Sequence, residues 1–258
     1  MYKYKFDFSG KVAVVTGGNS GIGVETVRML INGGANGLFT GRDEIKGDIA
    51  AEQLKEPGSN LTFLKADISK PEQCKKVVFS TVEQYGRIDI VINNAGIFKA
   101  NAIENVTESE FDRIVDTNLK GAFFICKYAV PFFKKNKSGT IINVSSDAGL
   151  QGNKLSSAYC ASKGGLTVFS KALALDLASY GICVNCVCPG DISTPMLHKD
   201  LETRRNPEKY MEELTKSYPV GRLGQPEEVA SVICFLASGI SEFITGAAWT
   251  VDGGITAG

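Results

Sequence analysis

The sequence has little of the charge excess, histidine content and unbroken hydrophobicity that mark several classes of protein. Lys plus Arg number 28 and Asp plus Glu number 28 in 258 residues, so the formal net charge is zero. A neutral chain argues against nucleic acid or an anionic membrane as the main partner, because both select a basic surface. The longest apolar stretch, residues 121–133, is broken by Lys127 and Pro131 and falls short of the roughly 20 residues of a membrane span. The only histidine, His198, is interpreted as a polar loop residue, and one histidine cannot build a zinc site, so we expect no metal.

The N-terminal segment and the cysteines favour a reducing compartment. The N-terminal segment carries basic residues but no apolar signal-peptide core, so we expect a cytoplasmic protein. The seven cysteines are odd in number and most lie in apolar surroundings, which is typical of buried thiols. Cys183 and Cys186 have a C-x-x-C spacing, but their surroundings predict a buried strand, in which residues i and i+3 point to opposite faces.

Short β-branched runs alternate with longer helical segments along the chain. Strands are predicted at residues 11–16, 36–40, 61–66, 89–96, 140–146, 182–188 and 247–254. Helices are predicted at residues 21–32, 71–85, 108–119, 122–134, 158–180 and 227–238. Continuous apolar strands alternating with helices imply a parallel sheet covered on both faces. The sequence therefore predicts one doubly wound α/β domain over residues 1–258, with the irregular segment 191–218 as a substrate lid.

A glycine-rich turn, residues 16–23, follows the first predicted strand with the spacing G-x-x-x-G-x-G. Glycines are needed where the backbone turns sharply and a pyrophosphate lies against free amides at a helix N-terminus. A tight turn without a ligand could use the same residues, but the position after an N-terminal buried strand favours a dinucleotide site. We expect four residues of the turn to contact the cofactor: Gly17, Asn19, Ser20 and Ile22.

This turn and the motifs that follow it resemble the short-chain dehydrogenase/reductase family. The motifs are Asp67 after the third strand, Asn-Asn-Ala-Gly at residues 93–96, Asn118 in a helix, Ser146 after the fifth strand, Tyr159-x-x-x-Lys163, and Pro189-Gly190 after the sixth strand. The resemblance spans residues 11–254. It implies a Rossmann-type sheet of seven parallel strands, a nicotinamide cofactor and reversible carbonyl/alcohol chemistry.

Tyr159 and Lys163 are four residues apart at the start of a predicted helix and therefore share a face. An ammonium group near the phenol lowers its pKa from about 10, which makes it a better base at neutral pH. An ordinary surface pair is the alternative, but Ser146 and Asn118 favour catalysis. The family pattern Ser-x-x-Gly selects Ser146 over Ser145.

The predicted catalytic residues have separate roles. In reduction, Tyr159 supplies the proton as general acid, and Ser146 donates a hydrogen bond to the substrate oxygen. In oxidation, Tyr159 is the base. The resemblance further implies that Lys163 holds the nicotinamide ribose and that Asn118 anchors a water linking Lys163 to solvent.

The end of the second predicted strand favours NADP(H). Rossmann enzymes that prefer NAD usually carry an acidic residue there, whereas this chain has Gly41 followed by Arg42. An arginine can bind a 2′-phosphate through its planar donors. NADP-preferring relatives often have a second basic residue in the glycine turn, where this chain has Ser20. Because Asp43 also lies close, NAD is kept as the second candidate.

Further cofactor contacts are implied by motif position in the family. Asp67 and Ile68 are expected to border the adenine, and Asn94 the adenosine side. Ile192 and Thr194 are expected to meet the carboxamide and the phosphates. Asn93 is interpreted as structural, bracing the turn between strands.

The predicted lid favours an apolar or amphipathic ketone or secondary alcohol, because it contains Met196, Leu197, Tyr210, Met211 and Leu214. A hydroxysteroid or bile acid and a 3-oxoacyl thioester both fit, as do many small ketones and polyols. The neighbouring Arg204 and Arg205 either meet an acidic group of the substrate or belong to a solvated charge cluster.

Two other classes of protein fit the sequence less well than a dehydrogenase. A non-catalytic dinucleotide-sensing regulator would not need the four predicted catalytic residues together. The longer nucleotide-sugar epimerases and dehydratases need a substantial C-terminal substrate domain.

The helices at 122–134 and 158–180 carry more apolar residues than one face needs, and the family resemblance implies a homo-oligomer, with a tetramer expected.

Overall fold

The computed structural model describes residues 6–56, 58–202, 204–240 and 242–257, and strands alternate with helices along them. The strands are β1 (Val12–Thr16), β2 (Asn36–Gly41), β3 (Leu61–Lys65), β4 (Ile90–Asn93), β5 (Gly139–Val144), β6 (Ile182–Pro189) and β7 (Ala248–Val251). The helices are α1 (Gly21–Asn32), α2 (Glu44–Gln53), α3 (Pro71–Tyr85), α4 (Glu108–Val115), α5 (Gly121–Asn136), α6 (Ser157–Leu177), α7 (Pro195–Leu201), α8 (Pro207–Ser217) and α9 (Pro226–Ala237). The strands coincide with those predicted from the sequence.

The strands form one parallel sheet in the order β3-β2-β1-β4-β5-β6-β7. Neighbouring residues of β1 belong to different hydrophobic cores. Val15 packs in the core that includes Val27 of α1, whereas Val14 packs in the core that includes Phe133 of α5. Because side chains alternate across a strand, the two cores cover opposite faces of the sheet. The predicted doubly wound fold with seven parallel strands is therefore confirmed.

Three of the helices were not predicted from the sequence. α2 begins after Asp43, whose side chain accepts a hydrogen bond from Lys46 N at 3.1 Å. α8 begins after Asn206, which caps Lys209 N at 3.1 Å. α7 also lies in the predicted irregular lid, and His198 belongs to this helix rather than to a loop. Few residues of α2 and α8 are buried, so the apolar periodicity that predicts helices was weak there.

The seven cysteines differ in burial: five are buried, whereas Cys160 and Cys183 are partly exposed. All seven are free thiols, and Cys186 lies buried within β6. Cys183 donates to the carbonyl oxygen of Glu242, whereas Cys186 lies 3.9 Å from Thr167 Oγ1, so the two sulfurs meet different neighbours. No helix in the described parts of the chain is long and apolar enough to cross a membrane.

A buried polar chain connects β4, β5 and α6. Asn93 Nδ2 donates to Asn143 Oδ1 at 2.8 Å, and Asn143 Nδ2 donates to Ser170 Oγ at 2.8 Å. Asn93 Oδ1 is buried without a partner. Asn93 is therefore structural, as interpreted from the sequence, but it braces β4 against β5.

We predict that Asn143→Ala lowers the free energy of unfolding by about 1–3 kcal/mol, because it removes the hydrogen bonds to Asn93 and Ser170 and leaves Asn93 Nδ2 with only Cys126 Sγ as acceptor. Urea denaturation followed by circular dichroism measures this change. The control is Asn105→Ala, at an exposed position. Equal stabilities for the two variants would show that the buried chain contributes nothing.

Candidate active site

A cavity of about 670 Å³ opens at the carboxyl ends of the central strands. The strand order reverses between β1 and β4, and ligands of open α/β sheets collect at such a reversal. Among the residues that line the cavity are all those predicted for the cofactor and three of the four predicted for catalysis: Gly17, Asn19, Ser20, Ile22, Arg42, Asp67, Ile68, Asn94, Ser146, Tyr159, Lys163, Ile192 and Thr194. Asn118 lies behind this lining.

The glycine turn brings the start of α1 to the cavity. Gly17 and Gly21 have φ angles of +65° and +54°, which residues with a side chain rarely adopt. A Cβ on Gly23 would lie 2.1 Å from the carbonyl oxygen of Gly17, so the turn and the helix require a glycine at their contact. Asn94 braces the turn, since its Nδ2 donates to Thr16 O at 3.1 Å and to Gly17 O at 3.0 Å.

The N-terminus of α1 is suited to an anion. Its N-cap residue, Ser20, makes no side-chain cap hydrogen bond, and the first turn contains no acidic residue. The first amides of a helix have no partner within the helix and carry the positive end of its dipole. Thr194 lies against this end, because a Cβ on Gly21 would be 3.2 Å from Thr194 Cγ2. These residues fit the pyrophosphate of a dinucleotide.

The opposite end of the cavity is bordered by Asp67 and Ile68. Asp67 Oδ1 accepts a hydrogen bond from Ser69 N at 3.1 Å, which holds this carboxylate at the end of β3. Ile68 is buried and packs closely on Gly121, the first residue of α5. These two residues give this part of the cavity a polar edge and an apolar surface.

Arg42 is exposed and lines both the cavity and a smaller neighbouring one of about 510 Å³. The adjacent Asp43 caps α2, because its Oδ1 accepts a hydrogen bond from Lys46 N. A Cβ on Gly41 would lie 2.6 Å from Asn19 Cγ. The glycine at the end of β2 is therefore needed for the position of Asn19.

Lys163 of α6 is buried, and its Nζ donates to Val144 O at the end of β5 over 2.8 Å. Burial lowers the pKa of Lys163 to about 8. The Nζ atom lies 5.8 Å from the ring centroid of Tyr159. Lys163 and Tyr159 thus share a helix face, as predicted.

The pKa of Tyr159 differs from the sequence-based expectation. Burial raises it above the ordinary tyrosine value, a hydrogen bond with Ser146 lowers it, and the charges of Asp147 and Asp191 raise it further. The expected effect of the Lys163 ammonium does not dominate, because two carboxylates and a low-polarity environment oppose it. The ring of Phe98 packs edge-on against the Tyr159 ring, with centroids 5.0 Å apart.

Asn118 lies in a π-helical turn, Asp116–Lys120, that separates α4 from α5. Its Oδ1 accepts from Ile97 N at 2.8 Å, and its Nδ2 donates to Ile97 O and Ser162 Oγ, both at 3.0 Å. Asn118 Oδ1 and Lys163 Nζ each come within 3.4 Å of the point where a Cβ on Gly96 would lie. Asn118 therefore holds the chain after β4 in the vicinity of Lys163.

The two serines after β5 have different surroundings. Ser145 Oγ donates to Lys163 O at 2.9 Å and lies 2.8 Å from Thr167 Oγ1, so it attaches β5 to α6. Ser146 Oγ donates to Asp147 Oδ1 at 2.6 Å and interacts with Tyr159. The geometry supports the selection of Ser146 over Ser145.

Asp147 is the site residue that the sequence analysis missed. It lines the cavity and is 8% exposed. In the sequence it occupies a variable position of the Ser-x-x-Gly pattern, so only its place directly after Ser146 could have drawn attention to it.

The predicted lid contributes α7 and α8 to the cavity wall. Four of its five apolar residues named above line the cavity: Met196, Leu197, Tyr210 and Leu214. Met211 is not among the lining residues. Arg204 is engaged within the lid, because it pairs with Asp200 at 2.6 Å and lies over the Tyr210 ring at 4.3 Å. Arg205 is exposed.

A second carboxylate, Asp191, follows β6 and also lines the cavity. The Tyr218 hydroxyl donates to Asp191 Oδ2 at 2.8 Å and accepts from Asp191 N at 2.6 Å. Burial raises the pKa of Asp191. Within the described residues, no group of three or more His, Cys, Asp or Glu side chains is arranged to hold a metal ion.

Comparisons with known proteins agree with this geometry. A family model described as enoyl-(acyl carrier protein) reductase matches residues 17–256. The chain is 38% identical to a 3-oxoacyl-(acyl-carrier-protein) reductase from Chlamydia muridarum, covering 95% of this chain and 97% of the relative. It is 37% identical to an L-fucose dehydrogenase from Bos taurus, covering 97% and 91%. The crystal structure of a levodione reductase superposes with a TM-score of 0.94 at 32% identity, covering 97% of this chain and 99% of that one.

The chain belongs to the short-chain dehydrogenase/reductase family. It is an NAD(P)-dependent oxidoreductase that acts on CH–OH groups of small molecules. The resemblance stated from the sequence motifs is thereby confirmed, and so is the enzyme class.

We predict that Gly23→Ala weakens binding of NADPH and NADH alike by about 10- to 100-fold, because the added methyl group displaces the Gly17 carbonyl and with it the turn. Titration followed by nicotinamide fluorescence measures both affinities. Gly164→Ala is the matched control, since its Cβ would meet only Gly149 O at 4.0 Å. Unchanged affinity in Gly23→Ala would exclude the turn as the phosphate site.

Proposed function

We propose that the protein interconverts an amphipathic ketone and a secondary alcohol, with NADP(H) as the hydride carrier. The observation that carries the proposal is the arrangement of Ser146, Tyr159 and Lys163 in one cavity with the glycine turn. A cavity of this kind accepts a dinucleotide and places a proton donor beside the substrate oxygen.

Tyr159 is the proposed acid and base. When bound, the nicotinamide ring supplies or accepts the hydride. In reduction, the Tyr159 hydroxyl donates its proton to the substrate oxygen. The Ser146 hydroxyl, whose one proton is donated to Asp147 Oδ1 in the structure, turns to donate its hydrogen bond to the same oxygen as negative charge develops. In oxidation, Tyr159 accepts the proton. Because burial raises the pKa of Tyr159, the hydroxyl is protonated at neutral pH, which is the form that reduction needs.

Lys163 is proposed to hold the nicotinamide ribose and to exchange protons with solvent. Its pKa of about 8 lies close to neutral pH, so it can release and regain a proton there. Asn118 is proposed to anchor the water that connects Lys163 to solvent. Asn118 Oδ1 and Lys163 Nζ both lie close to Gly96, which supports this role.

The preference for NADP(H) rests on the end of β2. Gly41 removes the acidic side chain that would repel a 2′-phosphate, and Arg42 offers planar donors at the edge of the cavity. Asp67, Ile68 and Asn94 are proposed to surround the adenosine. Ile192 and Thr194 are proposed to meet the carboxamide and the phosphates.

The lid supports an amphipathic substrate. Met196, Leu197 and Leu214 offer apolar surface, while Asp147 and Asp191 offer acceptors on the same cavity. The printed names of the relatives include an acyl carrier protein derivative, L-fucose and levodione. Such different molecules favour a common reaction on a ketone or secondary alcohol over any one of these substrates.

A homotetramer is the proposed assembly. Apolar side chains on α5 and α6 remain exposed in the single chain, among them Phe123 at 46%, Val168 at 65% and Leu175 at 84%. Burying such a surface against a second copy is favourable, because it removes apolar area from water. The free thiols of all seven cysteines fit a reducing compartment, and we propose the cytoplasm as the location.

The exchange of Tyr159→Phe tests the proposed acid and base. We expect at least about a 100-fold loss of kcat with NADPH affinity retained, because only the transferable proton is removed. Steady-state rates with a panel of ketosteroids, 3-oxoacyl thioesters and small ketones, together with fluorescence titration, measure both quantities. Tyr180→Phe, at an exposed tyrosine, is the control. Most of the activity surviving in Tyr159→Phe would assign the proton to another group.

Replacement of Arg42 by alanine tests the cofactor proposal. Loss of a charge-assisted hydrogen bond should weaken NADPH by about 10- to 100-fold and change NADH little. The measurement is kcat/KM for both cofactors in the parent and in Arg42→Ala. Lys46→Ala removes a nearby exposed charge that does not line the cavity. A parent that prefers NADH, or equal weakening of both cofactors, would contradict the assignment.

The double exchange Val168→Glu and Leu175→Glu tests the assembly. Charges on this face should dissociate the oligomer to smaller species, because they place unpaired carboxylates in an apolar contact. Sedimentation velocity at micromolar concentration measures the size. Ile45→Glu, on the exposed side of α2, is the control. A parent sedimenting as a 27.6 kDa monomer would refute the proposal.

A further inference from the structure

The carboxylate of Asp147 lies beside the catalytic groups and is not used by the proton transfer described above. Its Oδ1 accepts the hydrogen bond of Ser146 at 2.6 Å. Its Oδ2 accepts from Asn153 Nδ2 at 3.0 Å and from Gln151 Nε2 at 3.5 Å. None of the ion pairs found among the described residues includes Asp147.

A buried charge without a cation is costly, and neutral donors offset only part of the cost. A neutral acceptor would orient the Ser146 hydroxyl equally well. The charge also opposes the formation of a Tyr159 phenolate, since it raises the pKa of that residue. When Ser146 donates its one proton to the substrate, Asp147 Oδ1 loses the hydrogen bond that Ser146 donates to it, while Asn153 and Gln151 donate to Oδ2. Asp147 Oδ1 then needs a partner that these residues do not supply.

The position of Asp147 indicates what that partner is. A substrate oxygen that takes over the Ser146 proton from Asp147 lies within two hydrogen-bond lengths, about 5.5 Å, of Asp147 Oδ1. An oxygen on the carbon next to the reacting carbon can lie between the reacting oxygen and Asp147 Oδ1, within hydrogen-bond distance of Oδ1. A carboxylate is an acceptor only, so the group on this carbon must be a donor.

We propose that Asp147 is a substrate-binding residue that accepts a hydrogen bond from a hydroxyl group on the carbon next to the reacting carbon. The substrate is then an α-hydroxy ketone in reduction and a vicinal diol in oxidation. This inference rests on the proposed function, since it requires the reacting oxygen to lie at Ser146 and Tyr159.

The other charges of the cavity agree with a neutral substituent at this carbon. Among the described residues, four cations line the cavity. Arg204 is occupied by Asp200 and by the Tyr210 ring, Lys163 donates to Val144 O, and Arg42 and Lys154 are exposed. An anionic group next to the reacting carbon would face Asp147 without a compensating cation. Asp147 thus selects a hydroxyl group and rejects a carboxylate.

Two ketones that differ by one hydroxyl group test the proposal. The parent is expected to reduce 2-hydroxycyclohexanone with a kcat/KM at least about 10-fold above that for cyclohexanone. In Asp147→Asn this ratio should fall by about 10- to 100-fold, the change expected for one charge-assisted hydrogen bond.

Asp191→Asn is the matched control. Both exchanges remove a negative charge that raises the pKa of Tyr159, so both change the proton transfer in the same direction. Asp191 Oδ2 is bonded to Tyr218, whereas Asp147 is the carboxylate bonded to Ser146. Only Asp147→Asn is therefore expected to change the preference for the hydroxyl group. If Asp147→Asn does not fold, as judged by circular dichroism, Asp147→Ser replaces it in the same comparison.

Three outcomes overturn the proposal and leave the proposed reaction intact. The first is a parent whose kcat/KM for 2-hydroxycyclohexanone is close to that for cyclohexanone. The second is a ratio of these two values that Asp147→Asn leaves unchanged. The third is an equal loss of kcat/KM for both ketones in Asp147→Asn, which would make Asp147 only a positioning residue for Ser146. If the parent reduces neither ketone, the proposed reaction has failed on these probes. Calorimetric titration of the parent and of Asp147→Asn with 2-hydroxycyclohexanone then tests the Asp147 contact by itself. Weaker binding to Asp147→Asn than to the parent then supports the Asp147 contact, and equal or absent binding overturns it.

Discussion

The reciprocal hydrogen bonds between the end of β5 and α6 are the constraint on which the active site depends. Lys163 Nζ donates to the main chain at Val144, and the Ser145 side chain donates back to the main chain at Lys163. A buried ammonium group is stable only where an acceptor is held for it, so α6 can dock in one position. This docking places Tyr159, one helical turn before Lys163, beside Ser146 at the mouth of the sheet.

The polar groups of the substrate side are arranged around the same junction. Ser146 leads directly to Asp147, and Asp191 at the end of β6 is held by Tyr218. Asp147 is buried and Asp191 is half-buried, each with neutral hydrogen-bond donors, and both oppose ionisation of Tyr159. The cavity therefore has a proton donor kept in its neutral form, acceptors on one side and the apolar side chains of the lid on another. Such a surface suits a ketone that carries its own hydrogen-bond donor.

The sheet and most of the candidate site could be predicted because their signals are local. Buried parallel strands are continuous apolar runs, and the glycine turn and the Tyr159-Lys163 spacing are read within a few residues. α2 and α8 bury few side chains, so only their N-cap residues, Asp43 and Asn206, indicate in the sequence that a helix begins there. The raised pKa of Tyr159 and the importance of Asp147 depend on burial and on residues brought together by the fold, which no spacing in the chain encodes.

A crystal structure with bound NADP⁺ is the most direct test of the claim that the α6 junction and the glycine turn form one site. The nicotinamide ribose should lie within 2.7–3.2 Å hydrogen-bond distance, as is usual for N–H and O–H donors, of Lys163 Nζ and the Tyr159 hydroxyl. The pyrophosphate should lie at the N-terminus of α1. A nicotinamide ring bound away from Tyr159 and Ser146, or phosphates bound away from the glycine turn, would contradict the account.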